Sequence, residues 1–303
     1  MPTRYEVKVE KIITESDDSK SYIFNPISND EGLYDYLPGQ FFMLESEITR
    51  PETIVYDKES KSMIPSGPEV VVTEKKAYSI VSSPTQKGFI ELMIKSENGV
   101  FAPYLLEQLK EGDDCVLIGP QGNFMKDLFE NNEKFIACWS AGSGIPSSVS
   151  LTQYSLDNHL DNHIVIFDSN KTQKDIIYHD RIKKLIDQSK NFRCAFTITR
   201  ESKADIPKSS HSRISYSSGR FWPNEENSLQ KYSDARSFID KLLRKETNWK
   251  EYYNTICGSS SFINGKGRDK DGKLAKLSQG IEDRLLKLDI SSKKIDKDQY
   301  YLQ

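Results

Sequence analysis

Residues 134–150 read KFIACWSAGSGIPSSVS. From Lys134 to Trp139 the run is apolar at nearly every position, which suits a strand covered on both faces, as in a parallel sheet. It passes into Ser140-Ala141-Gly142-Ser143-Gly144-Ile145-Pro146, and a helical pattern from Ser147 to Ser155 follows. Glycines let a backbone approach a ligand closely, and the first amides of a helix face a phosphate with the positive end of the helix dipole. In an open parallel sheet, ligands lie beyond the carboxyl ends of the strands, where this loop would stand. Two glycines also suit a plain strand-to-helix turn.

Downstream, strand-length apolar runs alternate with helical segments, the pattern of an α/β doubly wound sheet. The expected strands are His163 to Phe167, Phe192 to Thr199 and Tyr252 to Cys257. The expected helices are Lys174 to Gln188, Ser233 to Arg244 and Lys273 to Leu288. Upstream the chain reads as short strands divided by turns: Tyr5 to Thr14, Ser21 to Asn25, Gln40 to Glu45, Val70 to Thr73, Ala77 to Val81, Phe89 to Lys95 and Cys115 to Ile118, with one short helix, Pro103 to Leu109. Close spacing with turn signals such as Leu37-Pro38-Gly39 predicts an antiparallel β-barrel. The polar stretch Asp127 to Glu133 divides the halves, giving domains at 1–128 and 129–303. Glu47 to Pro68 carries scattered charges and three prolines, and Ser202 to Ser228 is rich in Ser, Pro and Asn, so both are expected to be surface loops.

A chain of 303 residues exceeds the usual size of one core, in keeping with two domains. A formal net charge of -3 gives no general attraction to nucleic acid or anionic membrane. With no secretory pattern and no apolar run of spanning length, cytoplasmic residence is the expectation. Cys115, Cys138, Cys194 and Cys257 stand far apart, so no zinc, iron-sulfur or dithiol motif is present, and the first three read as buried hydrophobes. His159, His163, His179 and His211 form no ligand motif, so no metal is expected.

The first domain supplies Lys76-Ala77-Tyr78-Ser79-Ile80-Val81, then Met93-Ile94-Lys95, then Asn98-Gly99-Val100-Phe101-Ala102-Pro103 opening the short helix. A cation, an aromatic ring and a helix N-terminus together can hold a flavin dinucleotide by charge, stacking and amide hydrogen bonds. Singly, Tyr78 suits core packing and Lys76 a solvated surface.

The order of these motifs resembles the ferredoxin-NADP reductase family, with its flavin reductase and oxygenase reductase relatives, over nearly the full length. Leu37-Pro38-Gly39-Gln40-Phe41 resembles the entry into that family's flavin barrel, and Lys76-Ala77-Tyr78-Ser79 its Arg-x-Tyr-Ser signature. Gly112-Asp113 and Gly119-Pro120-Gln121-Gly122-Asn123-Phe124 look like its closing hairpin, and Ala141 to Pro146 like its glycine loop. Asp175-Ile176-Ile177-Tyr178 falls at its next helix, Cys257-Gly258-Ser259-Ser260 resembles its Cys-Gly motif, and Asp298-Gln299-Tyr300 its acid-x-aromatic pattern near the C-terminus.

The resemblance implies an FAD-binding β-barrel followed by an NAD(P)-binding α/β domain. It implies that Tyr78 stacks on the flavin, that the Ser79 hydroxyl approaches flavin N5, and that Ile80, Met93, Ile94 and Lys95 line the same cofactor. Lys76 would face the FAD pyrophosphate, with Gly99, Val100, Phe101 and Ala102 bringing amides to it. Gly142, Ser143, Gly144, Ile145 and Pro146 would hold NADP or NAD, and Cys257, with Gly258 and Ser259, would lie against the nicotinamide. Ser79 and Cys257 are thus the expected catalytic positions. Arg200 and Arg213 are candidates for the 2′-phosphate that favours NADPH, because a guanidinium pairs with phosphate through two hydrogen bonds.

Some positions depart from the family pattern. Lys76 stands where arginine is usual, Ala102 where Ser or Thr is common, Pro146 one place early, and Asn170 where a basic residue is frequent. The implied activity is hydride transfer from NAD(P)H to FAD and onward transfer to a separate carrier such as ferredoxin or flavodoxin. The rival readings are a reductase subunit of a larger redox enzyme and a non-catalytic binding or regulatory protein that keeps the fold.

Overall fold

The computed structural model describes residues 2–28, 31–57, 62–96, 101–221, 249–268, 273–276 and 279–300. The chain divides into two compact units, Met1–Asn123 and Phe124–Tyr301.

In the first unit, β1 (Arg4–Ser16) begins with Tyr5, Val7 and Val9 buried between exposed Glu6, Lys8 and Glu10, the period-two pattern of a half-buried strand. Five more strands follow: β2 (Ser19–Pro26), β3 (Phe41–Asp57), β4 (Ser62–Ser79), β5 (Ile90–Lys95) and β6 (Asp114–Gln121). They form one antiparallel sheet in the order β4-β3-β6-β1-β2-β5. A bridge between Ile80, just past β4, and Leu92 of β5 links the two outer strands, so the sheet curls into a barrel. Its core holds Tyr22, Phe24, Phe42, Leu44, Leu92 and Leu117. Helix α1 (Phe101–Gln108) adds Phe101, Ala102 and Leu105 to that core and packs on β3, β4 and β5.

The expected loop at 47–68 is instead a β-ribbon, and the two strands expected at 70–73 and 77–81 merge into β4. Pairing of β3 with β6 stops at Glu45, yet β3 and β4 stay paired out to Asp57 and Ser62. The prolines are tolerated because an edge strand need not donate every amide, and a register shift between Pro51 and Thr53 absorbs Gly67 and Pro68. Both faces of the ribbon are partly exposed, so no strict alternation marked it in the sequence.

The second unit opens with α2 (Lys126–Glu130) and then β7 (Phe135–Ala141), α3 (Ile145–Asp157), β8 (His163–Asn170), α4 (His179–Gln188), β9 (Phe192–Ile198) and β10 (Ile214–Ser218). After the undescribed stretch come β11 (Tyr253–Ser259), α5 (Ser260–Asn264), the small hairpin β12 (Lys266–Arg268) and β13 (Leu274–Lys276), α6 (Ile281–Lys287) and β14 (Ile295–Tyr300). Six strands make a parallel sheet in the order β10-β9-β8-β7-β11-β14. From β7 the chain winds outward through β8, β9 and β10, then returns to place β11 on the other side of β7. The switch point of the sheet therefore lies between β7 and β11. Trp139 stacks on Phe167 with ring centroids 3.9 Å apart, and Phe221 meets both edge-on. The buried indole is satisfied, since Trp139 Nε1 donates to Asn254 Oδ1 at 3.0 Å.

Several expectations in this half are corrected. The segment 202–228, expected as a loop, contains β10. The helix expected over 273–288 is shorter: β13 occupies its start, and α6 begins only after Gly280, whose N–H is capped by Asp283 Oδ2 at 3.0 Å. The helix expected from Lys174 starts at His179, because Thr172 and Asp175 close a separate turn and Tyr178 is left-handed at φ 59°. Strand β14 was not anticipated. The helix expected over 233–244 lies outside the described residues.

Candidate functional site

Strand β7 delivers the glycine segment to the carboxyl edge of the parallel sheet, where Gly142 to Gly144 form a single 3-10 turn leading into α3. Gly142 has φ 56°, a left-handed conformation that glycine adopts without cost. Gly144 is required for a different reason. A Cβ placed there would stand 2.1 Å from the carbonyl oxygen of Cys257, so only glycine lets the loop rest on the end of β11. Two motifs separated by more than a hundred residues are thus in backbone contact at the switch point, the usual ligand crevice of such sheets.

Cys257 is 2% exposed and lies in register with Ser140 of β7 on one side and Asp298 of β14 on the other. Its thiol donates to Asp298 Oδ2 at 3.8 Å. Burial pushes the Asp298 carboxyl above its ordinary pKa; the Cys257 contact pulls the other way, and nearby Asp296 adds to the rise. Asp296 is itself raised by burial, against the pull of a 2.7 Å hydrogen bond from the Met125 amide. Asp298 is the site residue that the sequence did not single out; its motif was visible, but the strand carrying it to Cys257 was not. Beyond Cys257, Gly258 packs on Phe262, and the Ser259 hydroxyl accepts from the Phe262 amide at 3.4 Å to cap α5. Ile145 and Pro146 are buried in the first turn of α3, and Ser143 is half-buried.

The two candidate arginines are not brought together. Arg200 follows β9 at the carboxyl edge, exposed, with its amide donating to Lys171 O at 2.8 Å. Arg213 precedes β10 at the amino edge, and its guanidinium donates to the Ser189 carbonyl. The residue that shares the carboxyl edge with Arg200 is Arg220, just past β10 and exposed, where Gly219 donates to Ile198 O at 2.8 Å.

In the first unit, Lys76 and Tyr78 lie two residues apart near the end of β4 and so share one face of the strand. Tyr78 is 7% exposed and belongs to the barrel core; Ser79 and Ile80 are buried beside it. Met93 and Ile94 are buried on β5, while Lys95 is held by Asp18 at 2.6 Å. Phe101 and Ala102 are buried at the start of α1, and Gly99 and Val100 lie outside the described residues. The other three cysteines are buried, and burial raises the thiols of Cys115 and Cys138 to about 11 and that of Cys194 well above the ordinary value. They stay protonated, as packing residues do.

The donor sets suit the groups that the motif order implied. The first turn of α3 has no side-chain cap; the Ile145 amide donates to the Gly142 carbonyl and Pro146 has no N–H, so an anion there would be met by the other amides of the turn. In the first unit, a cation and a ring share one face of β4, against which α1 packs. Among the described residues, no helix is long and apolar enough to cross a membrane.

Residues 67–125 match the oxidoreductase FAD-binding domain family. A glycine betaine monooxygenase reductase subunit from Chromohalobacter salexigens is 24% identical over 205 residues, covering 67% of this chain and 49% of the relative. The chain thus spans about half the length of the curated relatives of this kind. Among solved structures, the flavohem-like FAD/NAD binding domain of nitric oxide dioxygenase from Vibrio cholerae is similar at a TM-score of 0.63 and 16% identity, over 98% of each chain. A ferredoxin NADP+ reductase from Neisseria gonorrhoeae, with bound FAD and NADP, gives a TM-score of 0.60 at 15% identity, over 99% of this chain and 100% of that one. The FAD-binding match thus covers the segment 67–125, and the fold, an antiparallel barrel-like sheet followed by a parallel sheet with helices, is the one that these solved structures share.

Proposed function

We propose that the chain is an FAD-dependent NAD(P)H oxidoreductase that passes electrons to a separate redox protein. The observation that carries this reading is the contact of Gly144 with Cys257, which joins a phosphate-type glycine loop to a buried thiol at the switch point of a parallel sheet. When bound, FAD would supply the hydride acceptor and the means of releasing electrons singly.

The chain's own part is binding, orientation and exclusion of water. Lys76 and the amides leading into α1, from Gly99 to Ala102, would hold the FAD phosphates, and Tyr78 and Ser79 its ring, with Ile80, Met93 and Ile94 behind. Lys95 is committed to Asp18, so its part is to fix β5. Gly142 to Pro146 would hold the nicotinamide dinucleotide, and Cys257 with Gly258 and Ser259 would set the position of its ring. Asp298 would keep the thiol oriented. The 2′-phosphate of NADPH would fall to Arg200, with Arg220 as its companion in place of Arg213.

The carrier class finds support in the relatives named as monooxygenase reductase subunits, so a multicomponent oxygenase is the partner reading to test first. Purified protein should show a flavin band that bleaches with NADPH; a colourless protein that takes up no added FAD would favour the regulatory reading, which the loss of a hydroxyl at Ala102 makes physically coherent. Comparing NADPH and NADH in Arg200→Ala checks the finer assignment. The loss is expected with NADPH alone, by about 1.5–3 kcal/mol for a charge-assisted hydrogen bond; equal losses with both nucleotides would reject the contact.

A further inference from the structure

Past the carboxyl ends of β8 and β9, the two loops continue the ladder of their strands. The Thr199 amide donates to Asn170 O at 2.9 Å, and the Arg200 amide donates to Lys171 O at 2.8 Å. Lys171 and Arg200, both exposed, thus stand on adjoining backbone at the edge where the glycine loop lies. Asp168, Asp175, Glu201 and Asp205 share this region, and each is met by a neutral donor. Asn170 Nδ2 donates to Asp168 at 2.6 Å, the Thr172 amide and hydroxyl to Asp175 at 2.8 Å, and the Ser202 hydroxyl to Asp205 at 2.6 Å. Glu201 is met by Gln173.

The last of these contacts bears on Arg200. Glu201 is its next neighbour in the chain and half-buried, so it is the carboxylate best placed to neutralise the guanidinium. Both of its oxygens are taken instead: the Gln173 backbone N–H donates to Oε1 at 2.7 Å, and Gln173 Nε2 donates to Oε2 at 2.6 Å. Nε2 also donates to Asp205 O at 2.8 Å, so two acceptors fix which way the side-chain amide faces. Gln173 is itself held, because the bonds between Thr172 and Asp175 close the turn that carries it. Among the described residues, no carboxylate pairs with Arg200.

We propose, on the reading of Arg200 as the contact to the 2′-phosphate of NADPH, that Gln173 is a positioning residue for that contact: it anchors Glu201 so that the Arg200 guanidinium stays open to the phosphate. Neutral donors do not remove the charge of Glu201; they fix where it lies. A carboxylate released from Gln173 would compete with the phosphate for the same fork of N–H groups.

Calorimetric titration of the full chain with adenosine 2′,5′-bisphosphate, and with 5′-AMP as the ligand lacking the 2′-phosphate, reads this contact without turnover. Gln173→Ala should weaken the bisphosphate by about three- to fivefold, the strength of an exposed Arg–Glu pair acting as competitor, and leave 5′-AMP unchanged. Adding Glu201→Gln to Gln173→Ala should restore bisphosphate binding to the wild-type level, because a neutral amide does not compete. A loss that persists in the double variant, or an equal loss of 5′-AMP, would overturn the proposal by showing that Gln173 only keeps the loop in shape. No loss in Gln173→Ala, or wild type that binds the two ligands equally, would overturn it as well. Flavin bleaching by NADH in the same preparations reports on the reductase reading by itself: bleaching without the expected binding pattern removes the role of Gln173 alone, whereas no bleaching with NADH or NADPH removes the reductase reading.

Discussion

At the scale of the residue, the site turns on the space at one glycine and on one partly buried acid. Adding a methyl at Gly144 would drive Cβ into the Cys257 carbonyl, a backbone group that cannot swing aside. Gly144→Ala should therefore cost about 1–3 kcal/mol of stability, the usual price of overpacking. Urea denaturation would measure it, and nicotinamide-dependent flavin reduction should fall while flavin content holds; a variant as stable and as active as wild type would contradict the contact. Asp298 gives a pH-dependent expectation. Its folded-state pKa lies above the ordinary 3.8, so below that value both folded and unfolded states hold the proton and no penalty exists. The penalty grows as pH rises through the raised pKa and persists at neutral pH. Asp298→Asn should accordingly have a higher thermal midpoint than wild type at neutral pH, and the gap should close as the solution is acidified below 3.8; a constant gap would mean that burial of the charge is not its cause. Cys115, Cys138 and Cys194 were legible as buried from their apolar neighbours alone, since packing of a small apolar side chain is a local matter.

At the scale of the element, the β3–β4 ribbon shows how a side chain can stand in for a strand. Past Glu45, β3 has lost β6 as a neighbour, but Gln108 of α1 accepts from the Thr49 amide at 2.8 Å and donates to the Thr49 carbonyl at 2.6 Å. Gln108→Ala should remove about 1–3 kcal/mol from the ribbon's local stability. Faster amide exchange across residues 46–57 and 62–74, with the second unit unchanged, is the expected readout; uniform exchange across both units would place the effect elsewhere. The ribbon escaped the sequence reading because prolines and charges resemble a loop wherever neither strand face is fully buried. Strand β10 escaped for a related reason: Ile214 to Ser218 is short and polar, and it becomes a strand because β9 offers a paired edge. That one omission also misplaced Arg213, since the edge on which a residue falls depends on which side of a strand it stands.

At the scale of the whole molecule, two separate cores imply two separately addressable responses. A ligand stabilises whichever unit holds it, by about 2.7 kcal/mol at a hundredfold excess over its dissociation constant. FAD should slow amide exchange over residues 76–80 and 101–108, and NADP+ over 141–149 and 257–261; protection by NADP+ at the amino edge, around 190–193, would refute its placement. The succession of halves, barrel strands first and covered parallel strands after, was determined by the sequence itself, because side-chain period and apolar run length are properties of neighbouring residues. So was the order of the motifs. What only the tertiary structure decided was which distant pieces meet: Gly144 under Cys257, Asp298 beside its thiol through β14, and Arg220 sharing an edge with Arg200 while Arg213 faces the other way. Pairing and register are set by the sheet as a whole, and a strand carries no local mark of the neighbour it will find.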